Sequence, residues 1–207
     1  PSRSSGTPDH AGPSAPGPAT RGIPSMNTAF HSQPWQAAAA LAARLHQHQK
    51  RKDGATPYIA HPCRVVLTVS EVFDEHDPVI LAAALLHDTI EDTPADYDDI
   101  AEAVGTAVAD LVAALTKDMR IPEREREQAY EAQLAAAPWQ ARLIKLADVY
   151  DNLWDSVTSR TPVKVEDKVR MALRLAGGDP RLQRAVDAVH DLTQRAASGE
   201  SRRNLSA

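Results

Sequence analysis

A cluster of ionisable side chains follows directly on the apolar segment at residues 82–86. His87 and Asp88 come first, and Glu91 and Asp92 follow one helical turn later. Side chains three or four positions apart lie on one face of a helix, so these four are predicted to share a face. Burying such an acidic face without a cation is costly. The pattern is therefore typical of a metal-dependent hydrolase rather than of a packed core.

His61 and Asp148 complete a candidate set of metal ligands with His87 and Asp88. Imidazole and carboxylate groups together bind divalent transition metals well, and these ligand types fit manganese, iron, cobalt or zinc. Two coordination positions would remain for water or a substrate oxygen. Taken alone, Asp148 is more typical of a helix cap or a solvated residue. The occurrence of all four residues, two of them at the end of the most apolar helix, favours metal binding.

Helices are predicted to position these residues. Pro34 opens a first helix that runs to about Lys52, where an Asp-Gly pair ends it. His61 is predicted to cap a second helix, because a residue that precedes proline prefers extended geometry and the proline suits the first turn. Pro78 opens a third helix, which ends near Thr93.

The rest of the chain is also predicted to be helical. Further helices are expected at about 97–104, 106–117, 122–136, 138–157, 164–176 and 180–197. No alternating strand pattern lies between them. The expected architecture is an all-α bundle of about eight to nine irregularly crossed helices.

Composition excludes several classes of protein. With 207 residues, 43% of them hydrophobic, and a net charge of −5, the chain suits one ordinary globular domain and not a fibre. No nucleic-acid or membrane partner is expected, and the sequence carries no signal for a particular oligomeric state. The single cysteine, Cys63, excludes an internal disulfide and a zinc site built from several thiolates. A reducing, cytoplasmic location is therefore expected.

The two ends of the chain differ in composition from its centre. Seven of the 15 prolines lie in residues 1–34, among Gly, Ser and Thr. Such a segment buries too little apolar surface to offset its ordering entropy, so residues 1–33 are predicted to be disordered. Met26 is a candidate internal start. The predicted folded domain spans 34–197, and 198–207 are predicted to form a flexible tail.

Several motifs of the chain resemble the HD-domain phosphohydrolases, and within them the (p)ppGpp hydrolases of RelA/SpoT type. They occur in the family's order across about residues 35–157. The matching motifs are R-K-D-G at 51–54, P-Y-I-A-H-P at 57–62, A-L-L-H-D-T-I-E-D-T at 84–93, L-T-K at 115–117 and K-L-A-D at 145–148, with Asn152. Because no room remains for synthetase and regulatory domains, we expect a likeness to stand-alone small alarmone hydrolases.

The resemblance implies an HD-domain fold, a metal site and a reaction. It implies that one divalent metal, usually manganese, is bound by His61, His87, Asp88 and Asp148. Glu91 and Asp92 would position and activate the attacking water. The expected reaction is hydrolysis of the 3′-pyrophosphate of ppGpp or pppGpp to GDP or GTP and pyrophosphate.

The resemblance also implies a substrate-binding set. Arg51 and Lys52 match family positions that contact the guanine nucleotide, and Asn152 matches a residue on the nucleotide side. A guanosine polyphosphate also requires cations around its phosphates. Further candidates near the motifs are Lys117, Arg120 and Lys145.

Some alternatives stay open. The family commonly has basic residues where this chain has Val149 and Trp154, so another HD phosphohydrolase activity, on a 5′-nucleotide or the 2′-phosphate of NADPH, is an alternative. A non-catalytic nucleotide-binding module is another, although all expected ligands are present. A two-iron oxygenase needs further histidines between the His-Asp pair and the last Asp, and residues 89–147 contain none.

Overall fold

The computed structural model describes residues 33–158 and 165–198. Nine α-helices of eight to 20 residues and one four-residue helix make up this part of the chain. They are α1 (Pro34–Leu45), α2 (Ala60–Leu67), α3 (Pro78–Leu86), α4 (Thr89–Asp92), α5 (Tyr97–Val104), α6 (Thr106–Leu115), α7 (Glu123–Ala136), α8 (Trp139–Thr158), α9 (Glu166–Ala176) and α10 (Gln183–Ser198). A π-helical turn, Thr68–Val72, follows α2, and a 3-10 turn, Pro180–Leu182, precedes α10.

The all-α prediction is confirmed. Across 33–158 and 165–198 the only strand-like pairing is one isolated bridge between Lys50 and Pro57. None of the described helices is both long and apolar enough to cross a membrane. The predicted extension at 1–33, with Met26, and nearly all of the predicted tail at 198–207 lie outside the described residues, so the domain limits stay predictions.

Helix α3 lies at the centre of the bundle. It packs against α1, α2, α6 and α8. Asp77 caps its start, because the side chain accepts hydrogen bonds from the backbone of Val79 and Ile80. Its three consecutive alanines and Leu86 are fully buried. Small side chains on several faces let neighbouring helices approach closely, which places the end of α3 deep in the protein.

The first helix ends earlier than predicted. It stops at Leu45 rather than near Lys52. The chain then turns back on itself, since the Gln49 carbonyl accepts a hydrogen bond from the Tyr58 N–H and the Arg51 N–H donates to the Thr56 carbonyl. These loop contacts replace the helical ones, and they direct residues 50–58 towards the end of α3.

The second and third helices also differ from the prediction. Helix α2 begins at Ala60, so His61 is already helical instead of capping the helix. The predicted third helix is interrupted by a turn at His87 and Asp88, which separates α3 from α4. The His87 Nδ1 donates 2.9 Å to the Ala84 carbonyl, the acceptor that a continuous helix would use for the Asp88 N–H. The turn thus coincides with the side chains of chemical interest.

Candidate active site

The residues predicted to form the site, apart from Arg120, line one cavity of about 360 Å³. Arg120 is exposed and pairs with Asp118 outside it. The cavity lies where the ends of α3 and α4, the start of α2 and the middle of α8 meet the loop after α1. Its lining includes the predicted residues Arg51, Lys52, His61, His87, Asp88, Glu91, Asp92, Lys117, Lys145, Asp148 and Asn152, together with Lys50, Tyr58, Leu115, Tyr130 and Lys168.

The four candidate metal ligands point towards one another. His61, His87 and Asp88 offer ligand atoms that all lie within 4.8 Å of one another. The Asp148 Oδ1 lies 3.4 Å from the His61 Nε2 and 3.9 Å from the His87 Nε2. The two imidazoles meet edge to face, with ring centroids 5.1 Å apart. Two neutral nitrogens and two carboxylate oxygens at this separation can hold one divalent ion.

The environment of His87 fits such an ion. Its ring is fully enclosed, with 4% of the residue exposed, and its Nδ1 is committed to the Ala84 carbonyl. Its Nε2 is buried and, among the described residues, makes no hydrogen bond, although it lies 3.0 Å from the Asp88 carboxylate. Burial opposes protonation of the ring, but the charge of Asp88 raises the pKa of His87. A metal ion at the Nε2 would take the place of that proton and face the same carboxylate.

Asp148 is held by its own helix. The Lys145 ammonium donates to its Oδ2 at 2.7 Å, and the Asn152 Nδ2 donates to its Oδ1 at 2.5 Å. Burial opposes ionisation, but Lys145, His61 and His87 together outweigh it, so the pKa of Asp148 lies well below its usual range. Asp148 is therefore a carboxylate at any physiological pH.

Glu91 and Asp92 lie just beyond the ligand cluster, on α4. The Glu91 Oε2 accepts a hydrogen bond from the Lys117 N–H at 3.2 Å. Burial raises the pKa of Glu91, and burial together with the charge of Asp88 raises that of Asp92. A carboxylate whose pKa is raised is a stronger base, which suits proton acceptance from water.

Within the described residues, some cations around the cavity are held in ion pairs and others are not. Arg51 is already paired, with its guanidinium 2.7 Å from the Asp155 Oδ2 and 3.0 Å from the Asn152 Oδ1. Lys117 and Lys145 are also paired, the first with an exposed glutamate and the second with Asp148. Lys50, Lys52 and Lys168 line the cavity, and no ion pair holds them within the described residues. The rim is thus cationic above an acidic floor.

The profile of one protein family covers the cavity and most of the bundle. The profile described as HD domain matches residues 38–170. That range includes the histidines, the aspartates and both members of the Glu-Asp pair. The chain belongs to the HD domain family.

Named relatives of this HD domain share its sequence over part of their length. It is 42% identical over 119 residues to the guanosine-3′,5′-bis(diphosphate) 3′-pyrophosphohydrolase MESH1 of Homo sapiens, covering 57% of this chain and 66% of the relative, just under two thirds. An Aquifex aeolicus enzyme of the same activity name is 40% identical over 126 residues, covering 59% of this chain and 18% of that one.

A solved structure resembles this chain over most of the length of both proteins. It is described as a metazoan ortholog of SpoT that hydrolyses ppGpp and plays a role in starvation responses. The TM-score is 0.70 at 28% identity, and the match covers 84% of this chain and 97% of the other. The predicted family membership is confirmed.

Tyr58 is one residue of the HD-domain site that the sequence did not single out. Its hydroxyl donates to the Asp88 Oδ2 at 2.5 Å and lies 3.2 Å from the Asp92 Oδ2. Burial, with Asp88 beside the ring, raises the pKa of Tyr58, so it stays a donor. It connects a candidate ligand to a candidate base. The only sequence signal was its place in the motif at 57–62.

A second group was also missed. Asp151 lies behind His61 and is hydrogen-bonded to its ring. Arg64 donates a hydrogen bond to Asp151. Asp155 connects Arg64 to Arg51. Arg64, Asp151 and Asp155 follow His61, Asp148 and Asn152, respectively, by three positions and so lie on the same helix faces. This spacing was the sequence signal that could have found them.

Proposed function

We propose that this chain hydrolyses the 3′-pyrophosphate of ppGpp or pppGpp and releases pyrophosphate with GDP or GTP. One observation carries the proposal: a two-histidine, two-aspartate cluster, a Glu-Asp pair with raised pKa values and a cationic rim line the same cavity. The names of the human and Aquifex relatives support this substrate and this bond.

His61, His87, Asp88 and Asp148 would hold one divalent ion. Manganese is the first candidate, and iron, cobalt and zinc suit the same ligand types. Such an ion, when bound, lowers the pKa of a water molecule and polarises a phosphoryl oxygen. The protein supplies the ligand geometry: Asp148 is fixed by Lys145, and His87 is fixed by the Ala84 carbonyl.

Glu91 and Asp92 would accept the proton of the attacking water. Glu91 is the stronger candidate because its other contact is a backbone N–H, which orients the carboxylate without neutralising it. Asp92 shares the Tyr58 hydroxyl with Asp88, so it would orient the water beside the metal ligands. Lys50, Lys52 and Lys168 would neutralise the polyphosphate.

The role of Glu91 predicts the acid side of the pH profile. Because burial raises its pKa, the active carboxylate form is lost as the pH falls through a value above that of an ordinary glutamate. We expect kcat/KM to fall on the acid side in that raised range. Rates at saturating manganese, with bound metal measured at each pH, separate this titration from metal loss. Full activity down to the ordinary range of glutamate would contradict the assignment.

Arg51 is expected to contribute binding rather than chemistry. For Arg51→Ala we expect the KM for ppGpp to rise roughly tenfold or more, because a charged hydrogen-bond donor to phosphate is lost, with metal content unchanged. Arg120→Ala is the matched control, since Arg120 is exposed and paired with Asp118 outside this cavity. An unchanged KM in the Arg51 variant would exclude the role.

The decisive experiment is turnover of ppGpp by metal-stripped protein with manganese added back. Products are separated so that GDP and pyrophosphate are distinguished from other nucleotides and from phosphate. Pyrophosphate release that requires metal supports the proposal. Metal binding without ppGpp turnover would contradict it, and NADPH and 5′-nucleotides are then the substrates to assay.

A further inference from the structure

Asp151 lies behind the ligand cluster and is buried, with 3% of the residue exposed. It is one helical turn beyond Asp148 on α8. Its Oδ2 lies 2.6 Å from the His61 Nδ1, on the side of the ring opposite Asp88 and Asp148. The imidazole therefore lies between a carboxylate at its back and the ligand cluster at its front.

Arg64 keeps the Asp151 carboxylate in place. The Arg64 Nε donates to the Asp151 Oδ1 at 2.5 Å, and its terminal nitrogen donates to the Oδ2 at 3.0 Å. This is a bidentate pair, the geometry that fixes both the position and the plane of a carboxylate. Asp155 accepts a further hydrogen bond from Arg64 at 3.0 Å. The hydrogen bonds of His61 and Arg64 keep the pKa of Asp151 low although burial opposes ionisation.

The same network reaches the nucleotide side of the cavity. Asp155 accepts hydrogen bonds from both Arg64 and Arg51, and Arg51 donates to Asn152. Asn152 in turn donates to Asp148. Asp151 thus belongs to a continuous chain of hydrogen bonds from His61 to Asp148, which limits how far its carboxylate can move.

We propose that Asp151 is a positioning residue that orients His61 as a metal ligand. Its carboxylate accepts the Nδ1 proton, which leaves the Nε2 lone pair directed at Asp88 and Asp148 and makes that nitrogen more basic. The inference rests on the metal centre of the proposed function. It does not depend on which nucleotide is the substrate.

The test is the affinity for manganese of purified full-length protein, measured by titration. Asp151→Asn keeps the shape of the side chain and removes its charge, so we expect affinity about ten- to hundred-fold weaker. The control is Asp179→Asn, which makes the same change at an aspartate that pairs with Arg142 and does not line the cavity. If Asp151 orients His61, the control changes affinity by less than about threefold, although both variants unfold more easily.

Equal weakening in the two variants would show that losing any aspartate–arginine pair of the fold lowers the affinity, and unchanged affinity in Asp151→Asn would also overturn the inference. If Asp151→Asn does not fold, nitrogen NMR of the zinc-loaded wild-type protein shows whether the His61 Nδ1 carries a proton or binds the metal. A proton on the His61 Nδ1 supports the inference, and a metal bond at that nitrogen overturns it.

Protein that binds manganese without hydrolysing ppGpp contradicts the proposed function alone, whereas protein that binds no manganese contradicts both.

Discussion

Glu91→Gln is expected to keep its metal and lose about 10²–10⁴-fold in turnover. The amide has the size of the carboxylate, and its oxygen can still accept the hydrogen bond from the Lys117 N–H. It cannot accept a proton. The hydrogen bond that the structure gives the Glu91 side chain is to the Lys117 N–H and not to a candidate ligand, so its replacement leaves His61, His87, Asp88 and Asp148 in place.

Metal content by elemental analysis and single-turnover hydrolysis of ppGpp test this expectation together. Glu102→Gln is the matched control, because it makes the same change at an exposed position of α5 that does not line the cavity. A Glu91 variant without metal would place Glu91 among the ligands. Turnover equal to that of the control would exclude Glu91 as the base and leave Asp92 as the candidate.

The chemistry at the end of α3 could be predicted because it is local. His87, Asp88, Glu91 and Asp92 lie within six positions, so they stay close together even though a turn interrupts the helix at the first two. His61 and Asp148 were added by their residue types and motifs. In the structure the His61 Nε2 lies 3.4 Å from the Asp148 Oδ1, although 87 positions separate the two residues in the chain. A local sequence pattern cannot predict such a contact.

The partners behind the ligands could not be predicted, because they depend on tertiary packing. Tyr58 reaches Asp88 only because the chain turns back after α1, where alanine-rich composition suggested a longer helix. Asp151 contacts His61 across 90 positions. Helical spacing indicates that Asp151 lies on the same side of α8 as Asp148, but the register of α8 against α2 decides which atom it meets.

The turn at His87 and Asp88 is a further case in which local propensity was overridden. The alanines and leucines at 81–86 are strong helix formers and Glu91 follows the pair, so a continuous helix was the natural prediction. The His87 side chain instead bonds to a backbone carbonyl of the preceding turn. Position-by-position propensity does not include such a competing hydrogen bond, and here it redirects the residues of the candidate ligand cluster.

His87→Ala and Asp148→Ala are both expected to lose bound metal, but only the second should also lose much stability. In Asp148→Ala the Lys145 ammonium, with 11% of the side chain exposed, keeps its charge and loses its 2.7 Å partner. Breaking a buried pair in this way costs about 3–5 kcal/mol of the free energy of unfolding. Within the described residues the hydrogen bond of His87 is to the Ala84 carbonyl, and the neighbouring Asp88 also contacts the Tyr58 hydroxyl, so removal of His87 costs mainly the packing of the ring.

A double variant separates the two roles of Asp148. Adding Lys145→Met to Asp148→Ala removes the unpaired charge and fills the space, so stability should recover while metal binding should not. Denaturant unfolding of the metal-free proteins measures the first quantity, and elemental analysis measures the second. Full metal in either Asp148 variant would remove this residue from the ligand set. Without recovery in the double variant, the stability loss would have a cause other than the buried ammonium.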